Sequence, residues 1–256
     1  MKYGICNLSN IPLREASDNT SEMISQLLFG DHYKVIQENK QWLKIKLNFD
    51  NCEGWIEVSQ FLEVSKEYFD KLTKATFITS NEMVDFIEDE QNNLFPILLG
   101  SRLPFYSKNS FQIIDQKYTF DGQIAGVKSS KQAIVNTAFT YLNSPFLWGG
   151  KTPFGIDSSG FAQMVYRLNG YNLFRKASEQ ATQGEVLSFI EESEPGDLAF
   201  FDDNEGEIIH VGIILANHHI IHTYGKVRID RLDHSGIYNA DLKTHTHKLR
   251  VIKKIF

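Results

Sequence analysis

A short run of polar residues at the start of a predicted helix has the composition of a nucleophile site. Four apolar residues after Asp157 follow the i, i+3, i+4, i+7 spacing of one helix face: Phe161, Met164, Val165 and Leu168. Asp157 is a typical N-cap, which places Ser158 and Ser159 in the first helical turn. Backbone N–H groups there have no helical partner and the helix dipole is positive. The position therefore favours a side chain that becomes an anion and offers donors to an oxyanion.

Two histidines further along the chain are candidates for a base and for the group that orients it, both of which a hydroxyl or thiol nucleophile needs. His210 lies in the apolar run 208–215 and His222 in the run that begins at Ile220, each facing away from its apolar neighbours. If these runs pair as a hairpin folded about Ala216, His210 and His222 lie opposite each other, with Cβ atoms roughly 4.5–5.5 Å apart. One imidazole then holds the other in its tautomer and orientation.

Other histidines lack such a context, and we expect them to be solvated or structural: His218, His219, His234, His245 and His247. The spacing of His245 and His247 is compatible with a metal site, but no further ligand accompanies the pair. We therefore expect no metal and no organic cofactor.

The composition argues against a nucleic-acid or membrane partner. The chain has 256 residues with 42% hydrophobic and 23% charged residues and a net charge of −6, and its basic residues do not cluster. No stretch approaches a membrane span, and the first ten residues lack the apolar core of a secretory signal. We expect a monomer that is cytoplasmic if Met1 is the native start; a truncated secreted form stays open. Cys6 and Cys52 are expected to be buried hydrophobes.

The pattern of elements predicts an α+β protein with three domains. Residues 1–64 contain short strands with turns, typical of a small barrel, and residues 76–127 contain a second, degenerate all-β module. The charged segment Ser65–Thr73 between them predicts a short helical linker. In residues 129–256, a helix over 130–142 and the helix after Asp157 precede a series of short strands, which indicates an α+β domain.

The stretch around Asp157 resembles the signature of NlpC-type cell-wall cysteine peptidases, W-G-G-x-x-P-x-G-x-D-C-S-G-F. Nine positions match it: Trp148, Gly149, Gly150, Pro153, Gly155, Asp157, Ser159, Gly160 and Phe161. The nucleophile position differs, because Ser158 stands where the family has Cys. The later tracts G-D-L-x-F-F, H-V-G-I and I-I-H also match. They imply that His210 is the catalytic base, that His222 is its polar partner, and that residues 129–256 form a papain-like domain.

The first 64 residues resemble a bacterial SH3-like domain. The segment that begins at Pro96 echoes the one that begins at Gln26, which indicates a weak internal repeat. The resemblance therefore implies two small all-β SH3-like barrels before the catalytic domain. The first barrel either recognises wall peptide or packs beside a cleft and shapes it.

This combination resembles the γ-D-glutamyl-L-diamino acid endopeptidases, whose substrates are murein peptides with a free N-terminal L-Ala. The resemblance implies that Asp157 helps bind the free amine and that Ser159 lines the same pocket. Glu22 is a further candidate for the amine, with a solvated surface position as its alternative. Trp148 is either a wall of the substrate pocket or a core residue. Lys176 stands where the family has Asp, in a stretch that otherwise resembles R-D-A-S-x-Q.

Ser158 leaves three interpretations open, since a thiol–imidazole site is not tuned to deprotonate a hydroxyl. We adopt an inactivated variant of a cysteine peptidase as the working hypothesis. The alternatives are a natural pseudoenzyme that binds cell-wall peptides without cleaving them and a working serine enzyme. An acyltransferase on the same scaffold is a further rival, because fold does not determine chemistry.

Overall fold

The structure, a computed structural model, describes residues 1–256 and has the predicted α+β composition, with 16% helix and 43% strand. The chain forms two compact units, Met1–Val127 and Lys128–Phe256. The longest helix has 11 residues, and no helix is long and apolar enough to span a bilayer.

Unit 1 begins with a sheet of seven short strands. They are β1 (Tyr3–Ile5), β2 (Asn10–Arg14), β3 (Met23–Leu28), β4 (His32–Glu38), β5 (Trp42–Leu47), β6 (Glu53–Glu57) and β7 (Leu62–Val64), with a 3-10 turn at Val58–Gln60. The strand order is β3-β2-β6-β5-β4-β1-β7, and the strands enclose an apolar core in an SH3-like barrel. Along β5, Ile45 and Leu47 are buried while Lys44 and Lys46 are partly exposed, so the alternating apolar and basic residues match the two faces of the strand.

Helix α1 (Lys66–Lys74) follows the first sheet, and Ser65 caps it by accepting a hydrogen bond from the Tyr68 N–H. The sequence predicted a linker, but α1 also contributes to the core. Its Phe69 and Leu72 are buried in a cluster that contains residues from both sheets of unit 1. The second part of unit 1 consists of β8 (Thr79–Ser80), β9 (Val84–Asp89), β10 (Leu94–Leu98), β11 (Ser110–Ile113), β12 (Gln116–Thr119) and β13 (Ile124–Ala125). The boundaries of two separate modules, 1–64 and 76–127, stay a prediction.

Two matching turns explain the weak internal repeat in unit 1. In each, the N–H of the last residue donates to the C=O of the first, at 3.0 Å in the turn 28–31 and 2.9 Å in the turn 98–101. The third residue of each turn is a glycine at positive φ, Gly30 at 80° and Gly100 at 83°. Only glycine adopts this conformation at no steric cost, so the repeated Leu-x-Gly pattern reports a repeated turn.

Unit 2 contains three helices and a seven-stranded antiparallel sheet. In chain order its elements are α2 (Lys131–Thr140), β14 (Lys151–Thr152), β15 (Gly155–Ile156), α3 (Ser158–Leu168), α4 (Ala177–Gln180), β16 (Glu185–Leu187), β17 (Leu198–Asp202), β18 (Ile208–Leu215), β19 (His219–Tyr224), β20 (Lys226–Asp233), β21 (Gly236–Asn239) and β22 (Thr244–Lys254), with a 3-10 turn at Ile190–Glu192. The sheet order is β16-β22-β17-β18-β19-β20-β21, and β21 also pairs with β22. Ser130 caps α2 by accepting a hydrogen bond from the Ala133 N–H at 3.4 Å.

Helix α3 is the central helix of unit 2 and packs against β18 and β19. The sequence predicted one apolar face, yet every residue of α3 except Ser159 is buried. The polar side is covered as well: the Gln163 side-chain amide donates to the Leu173 C=O at 3.0 Å, and Arg167 is fully buried. Burial on all sides fixes the position of the first helical turn, where Ser158 lies.

The hairpin of β18 and β19 has a different register from the one predicted. Ile213 pairs with Ile221, so the hairpin is centred on Asn217 rather than Ala216, and His222 lies opposite Gly212 instead of His210. The cause is the connecting turn, in which Asn217 and His218 both have positive φ, at 57° and 58°. A shift of two residues keeps each side chain on its predicted face.

Candidate active site

The carboxylate of Asp157 fixes the start of α3. Its Oδ1 accepts a hydrogen bond from the Gly160 N–H at 2.6 Å, which confirms the predicted N-cap, and its Oδ2 accepts one from the Gly149 N–H at 2.9 Å. Ser158 is therefore the first residue of the helix, and it is 8% exposed. Its N–H belongs to the first turn, where backbone donors have no intrahelical partner.

Arg175 holds the Asp157 carboxylate by a bidentate ion pair. The distances are 3.0 Å from Nη1 to Oδ1 and 2.6 Å from Nη2 to Oδ2, and both side chains are almost fully buried. Arg175 Nη1 also donates to Ser159 Oγ at 2.8 Å, and Gln180 Nε2 donates to the Ser159 C=O at 2.9 Å. Arg175 begins the stretch that resembles R-D-A-S-x-Q, but that resemblance did not indicate its pairing with Asp157. The acceptor positions of this carboxylate are thus occupied by donors of the chain itself.

His210 and His222 form a buried, hydrogen-bonded chain that continues to an aspartate. His210 Nε2 lies 2.9 Å from His222 Nδ1, and His222 Nε2 lies 3.0 Å from Asp230 Oδ2. His210 is 6% exposed, His222 is fully buried and Asp230 is 5% exposed. The structure therefore brings the two predicted histidines together, although they are diagonal neighbours rather than opposite residues.

The positions of the protons on His210 and His222 follow from the carboxylate of Asp230, which ends this series of hydrogen bonds. An ionised carboxylate can only accept, so His222 carries its proton on Nε2 and its Nδ1 accepts from the Nε2–H of His210. His210 Nδ1 is then left with a lone pair. This is the tautomer that a general base requires.

Burial is the main reason why both imidazoles are neutral. Burial, with smaller contributions from His222 and His247, holds the pKa of His210 well below its ordinary value. Burial also lowers the pKa of His222, although the hydrogen bond to Asp230 opposes it. Burial works to raise the pKa of Asp230, but hydrogen bonds from His222 and Arg228 outweigh it, and the pKa lies below its ordinary value.

Asp230 is a residue that the sequence analysis missed, and it is held in turn by Arg228. The Arg228 Nε and Nη2 donate to the two carboxylate oxygens at 2.7 and 2.9 Å, and Nη2 also reaches Asp241 Oδ2 at 2.9 Å. An acidic residue alternating with a basic one in β20 was the available signal. Its meaning depends on the pairing of β19 with β20, which puts Asp230 opposite Ile220.

His247 also contacts the two histidines, so of the two roles expected for it, solvated or structural, the structure favours the structural one. Its ring stacks on that of His210 with centroids 4.1 Å apart, and it meets His222 edge-on at 5.5 Å. Burial, and then the neighbouring His222, lower the pKa of His247 to about 4. By contrast, His245 is paired with Asp233 at the surface.

The remaining predicted residues are distributed between the two units. Trp148 is 60% exposed, so it is not a core residue in this structure, and Ser159 is partly exposed beside Asp157. Exposed apolar side chains accompany Trp148 in its loop, among them Leu147 and Phe154. Glu22 belongs to unit 1, where it is exposed just before β3. Cys6 is fully buried and burial raises the pKa of its thiol, so it offers no nucleophile.

Comparisons with known proteins agree with this architecture. Residues 143–246 match the NlpC/P60 family, and residues 13–61 match the bacterial dipeptidyl-peptidase SH3 domain. A γ-D-glutamyl-L-lysine dipeptidyl-peptidase of Bacillus subtilis is 26% identical over 213 residues, covering 78% of this chain and 71% of the relative. Dipeptidyl-peptidase 6 of Lysinibacillus sphaericus is 25% identical over 257 residues, covering 89% of this chain and 91% of the relative.

The fold also has a solved counterpart. The crystal structure of an NlpC/P60 family protein from Bacillus cereus superimposes with a TM-score of 0.82 and 18% identity, covering 99% of both chains. At this identity the likeness shows the fold alone. The two family matches show that residues 143–246 carry an NlpC/P60 domain and that it is preceded, at residues 13–61, by a bacterial SH3 domain.

Proposed function

We propose that the scaffold is a cysteine endopeptidase that hydrolyses the γ-D-glutamyl-L-diamino acid bond of murein peptides with a free N-terminal L-Ala. The form with Ser158 is the inactivated version of that enzyme. The bond is the one expected from relatives named γ-D-glutamyl-L-lysine dipeptidyl-peptidases. The proposal assigns Ser158, His210 and His222 to the catalytic positions.

The observation that carries the proposal is the oriented histidine pair beside the helix that begins at residue 158. Asp230 and His222 hold His210 in the tautomer with a free Nδ1 lone pair. Helix α3 packs against the strands that carry both histidines. A nucleophile, a base and an orienting group are the three parts that acyl transfer needs.

In the proposed reaction, a thiol at position 158 gives its proton to His210 Nδ1 and attacks the carbonyl carbon of γ-D-Glu. The resulting oxyanion accepts from the backbone N–H of residue 158, in the positive field of the α3 N-terminus. His210 then passes its proton to the amine of the diamino acid, which leaves. Water, deprotonated by His210, releases the L-Ala-γ-D-Glu product from the thioester.

Serine fails in this arrangement for a chemical reason. A thiol has an ordinary pKa of about 8.5 and is readily ionised beside an imidazole at a helix start. A hydroxyl is far harder to ionise, and a thiol–imidazole site is not tuned to deprotonate it. The Ser158 protein should therefore bind peptide and hold it uncleaved.

Recognition of the substrate is assigned to Trp148, Asp157, Ser159 and Glu22. The exposed ring of Trp148 offers an apolar wall. Because Arg175 already neutralises Asp157, we assign this carboxylate chiefly to shaping the pocket through Ser159 and the helix start. A carboxylate that is to attract the free amine must then come from elsewhere, and Glu22 is the assigned candidate.

The proposal is tested by restoring the thiol. Ser158→Cys should hydrolyse L-Ala-γ-D-Glu-diaminopimelate or the L-Lys peptide, with the parent protein as control and product release followed by chromatography. The N-acetylated peptide should be cleaved far more slowly, and Glu22→Gln should reduce that difference. A folded Ser158→Cys protein that cleaves neither peptide would contradict the proposal.

A second candidate is a natural binding protein for cell-wall peptides, and Ser158 itself is the observation that favours it. Calorimetric titration with the tripeptide would then give tight binding, and Ser158→Cys would not cleave the bound peptide. Hydrolysis by that variant, together with a Cys codon at this position in the native gene, would exclude the second candidate.

A further inference from the structure

Three imidazoles converge in unit 2, and the mechanism above uses only two of them. We call His210, His222 and His247 the histidine cluster. One ring nitrogen from each lies within 4.8 Å of the corresponding nitrogens of the other two. They come from three different strands, β18, β19 and β22, that the sheet brings together. Three histidine nitrogens with an open fourth position are a ligand set that Zn²⁺ adopts in proteins.

In two of these rings, the nitrogen that would not ligate the ion has an oxygen partner, as it has in metal-bound histidines. A histidine that ligates a metal usually donates its other N–H to a carboxylate or another oxygen, which fixes the ring. His222 Nε2 lies 3.0 Å from Asp230 Oδ2, and His247 Nδ1 lies 2.9 Å from Thr246 Oγ1. His222 Nδ1 and His247 Nε2 are therefore the nitrogens left to ligate.

We propose that the histidine cluster binds one Zn²⁺ ion, or a similar divalent transition-metal ion, through His210, His222 and His247, with water as the fourth ligand. The ion takes the place of the proton between His210 Nε2 and His222 Nδ1, which are 2.9 Å apart. Tetrahedral Zn–N bonds of about 2.0–2.1 Å need these two nitrogens roughly 3.3 Å apart, so this pair has to separate by about 0.4 Å. The ring of His247, which stacks on that of His210, has to turn so that its Nε2 faces the ion. The displaced proton moves through solvent to His210 Nδ1, and the ring stays neutral.

Binding of the ion should inhibit peptide hydrolysis. This inhibition rests on the proposed function, whereas the metal site itself does not. Protonation of His210 Nδ1 removes the lone pair that the base needs. Metal occupancy and peptide hydrolysis thus exclude each other, so the ion acts as a reversible inhibitor rather than as a cofactor.

Calorimetric titration of the untagged, chelator-treated protein with ZnCl₂ tests the site without reference to activity. One ion per chain is expected. His247→Phe, which retains a ring against His210, should weaken binding by at least about 100-fold, and Asp230→Asn by about 10- to 100-fold. His245→Phe is the matched control, because His245 lies on the same strand but pairs with Asp233, and its affinity should equal that of the parent.

A second measurement keeps the test valid if His247→Phe does not fold. In the unmodified protein labelled with ¹⁵N-histidine, Zn²⁺ should shift the ring nitrogens of all three cluster histidines at one equivalent and leave those of His245 in place. Failure to bind one ion, equal affinity in a folded His247→Phe protein, or shifts confined to histidines outside the cluster would overturn the proposal.

Discussion

Gly212 lies directly opposite His222 on the neighbouring strand, and a side chain at Gly212 would collide with Ile220 and crowd the Cβ of His222. A Cβ at Gly212 would lie 2.6 Å from Ile220 Cδ1 and 3.0 Å from His222 Cβ. Both distances are shorter than ordinary van der Waals contact. The glycine of the H-V-G-I tract therefore allows β18 and β19 to approach closely at the position of His222.

Gly212→Ala tests this relationship. Overpacking against Ile220 and His222 should lower the free energy of unfolding by about 1–3 kcal/mol, measured by urea denaturation. Gly206→Asn is a suitable control, since Gly206 has open space around it and Asn tolerates its positive φ. Equal stability of Gly212→Ala and the parent would show that β18 and β19 separate at no cost.

Arg175→Met should be strongly destabilising, because it leaves the buried carboxylate of Asp157 without its bidentate partner. Breaking a buried pair in this way costs about 3–5 kcal/mol, and urea denaturation measures it. Lys66→Met is the control. It removes an exposed pair with Asp70, which solvent screens, and should leave the free energy of unfolding almost unchanged. A loss as small as that control would mean that Arg175 is dispensable for the start of α3.

Asp230→Asn, made together with Ser158→Cys, should lower kcat/KM for the murein peptide by about 10- to 100-fold. The amide no longer requires a proton on His222 Nε2, so the tautomer that frees His210 Nδ1 loses its preference. Asp241→Asn provides the comparison, because Asp241 also binds Arg228 but its side chain is 77% exposed. Identical kcat/KM values and pH profiles in both variants would show that Asp230 does not fix the tautomers of His222 and His210.

Stability should fall as the pH drops below about 6.5, the ordinary pKa of histidine. His210, His222 and His247 have lowered pKa values in the folded state, that of His247 about 4. Between pH 6.5 and the lower pKa values of the folded state, the unfolded chain binds more protons than the folded chain, so acid favours unfolding. The contribution is fully present above pH 6.5 and is lost down to the folded pKa.

Urea denaturation between pH 8 and pH 4 measures this dependence, and His247→Phe should flatten it. Carboxylates titrate in the same range in every variant, so the difference from the parent isolates His247. Parallel curves for His247→Phe and the parent would contradict burial of a neutral imidazole.

Local patterns predicted the elements well, because their causes lie within a few residues. Asp157 caps α3 as its spacing from the apolar face required, and the alternation in β5 reports its buried side. The register of β18 and β19 was wrong by two residues. It depends on Asn217 and His218 adopting positive φ, which the hydrophobic pattern does not record.

The sequence predicted only those residues of the site that the family resemblance indicates, such as His210 and His222. Asp230 joins it through the pairing of β19 with β20, and His247 through the placement of β22 beside β17 and β21. Arg175 reaches Asp157 from a loop 18 residues away. Such contacts depend on strand order and on long-range packing, for which one sequence offers no local signal.

The pH dependence of thiol alkylation in Ser158→Cys tests most directly whether residue 158 and His210 form one catalytic unit. Iodoacetamide should modify the new thiol rapidly well below pH 8.5, and His210→Gln should move its midpoint up towards the ordinary pKa of about 8.5. The parent protein, with Cys6 and Cys52 alone, gives the background. A midpoint near 8.5 with His210 present, unchanged by its replacement, would contradict the account.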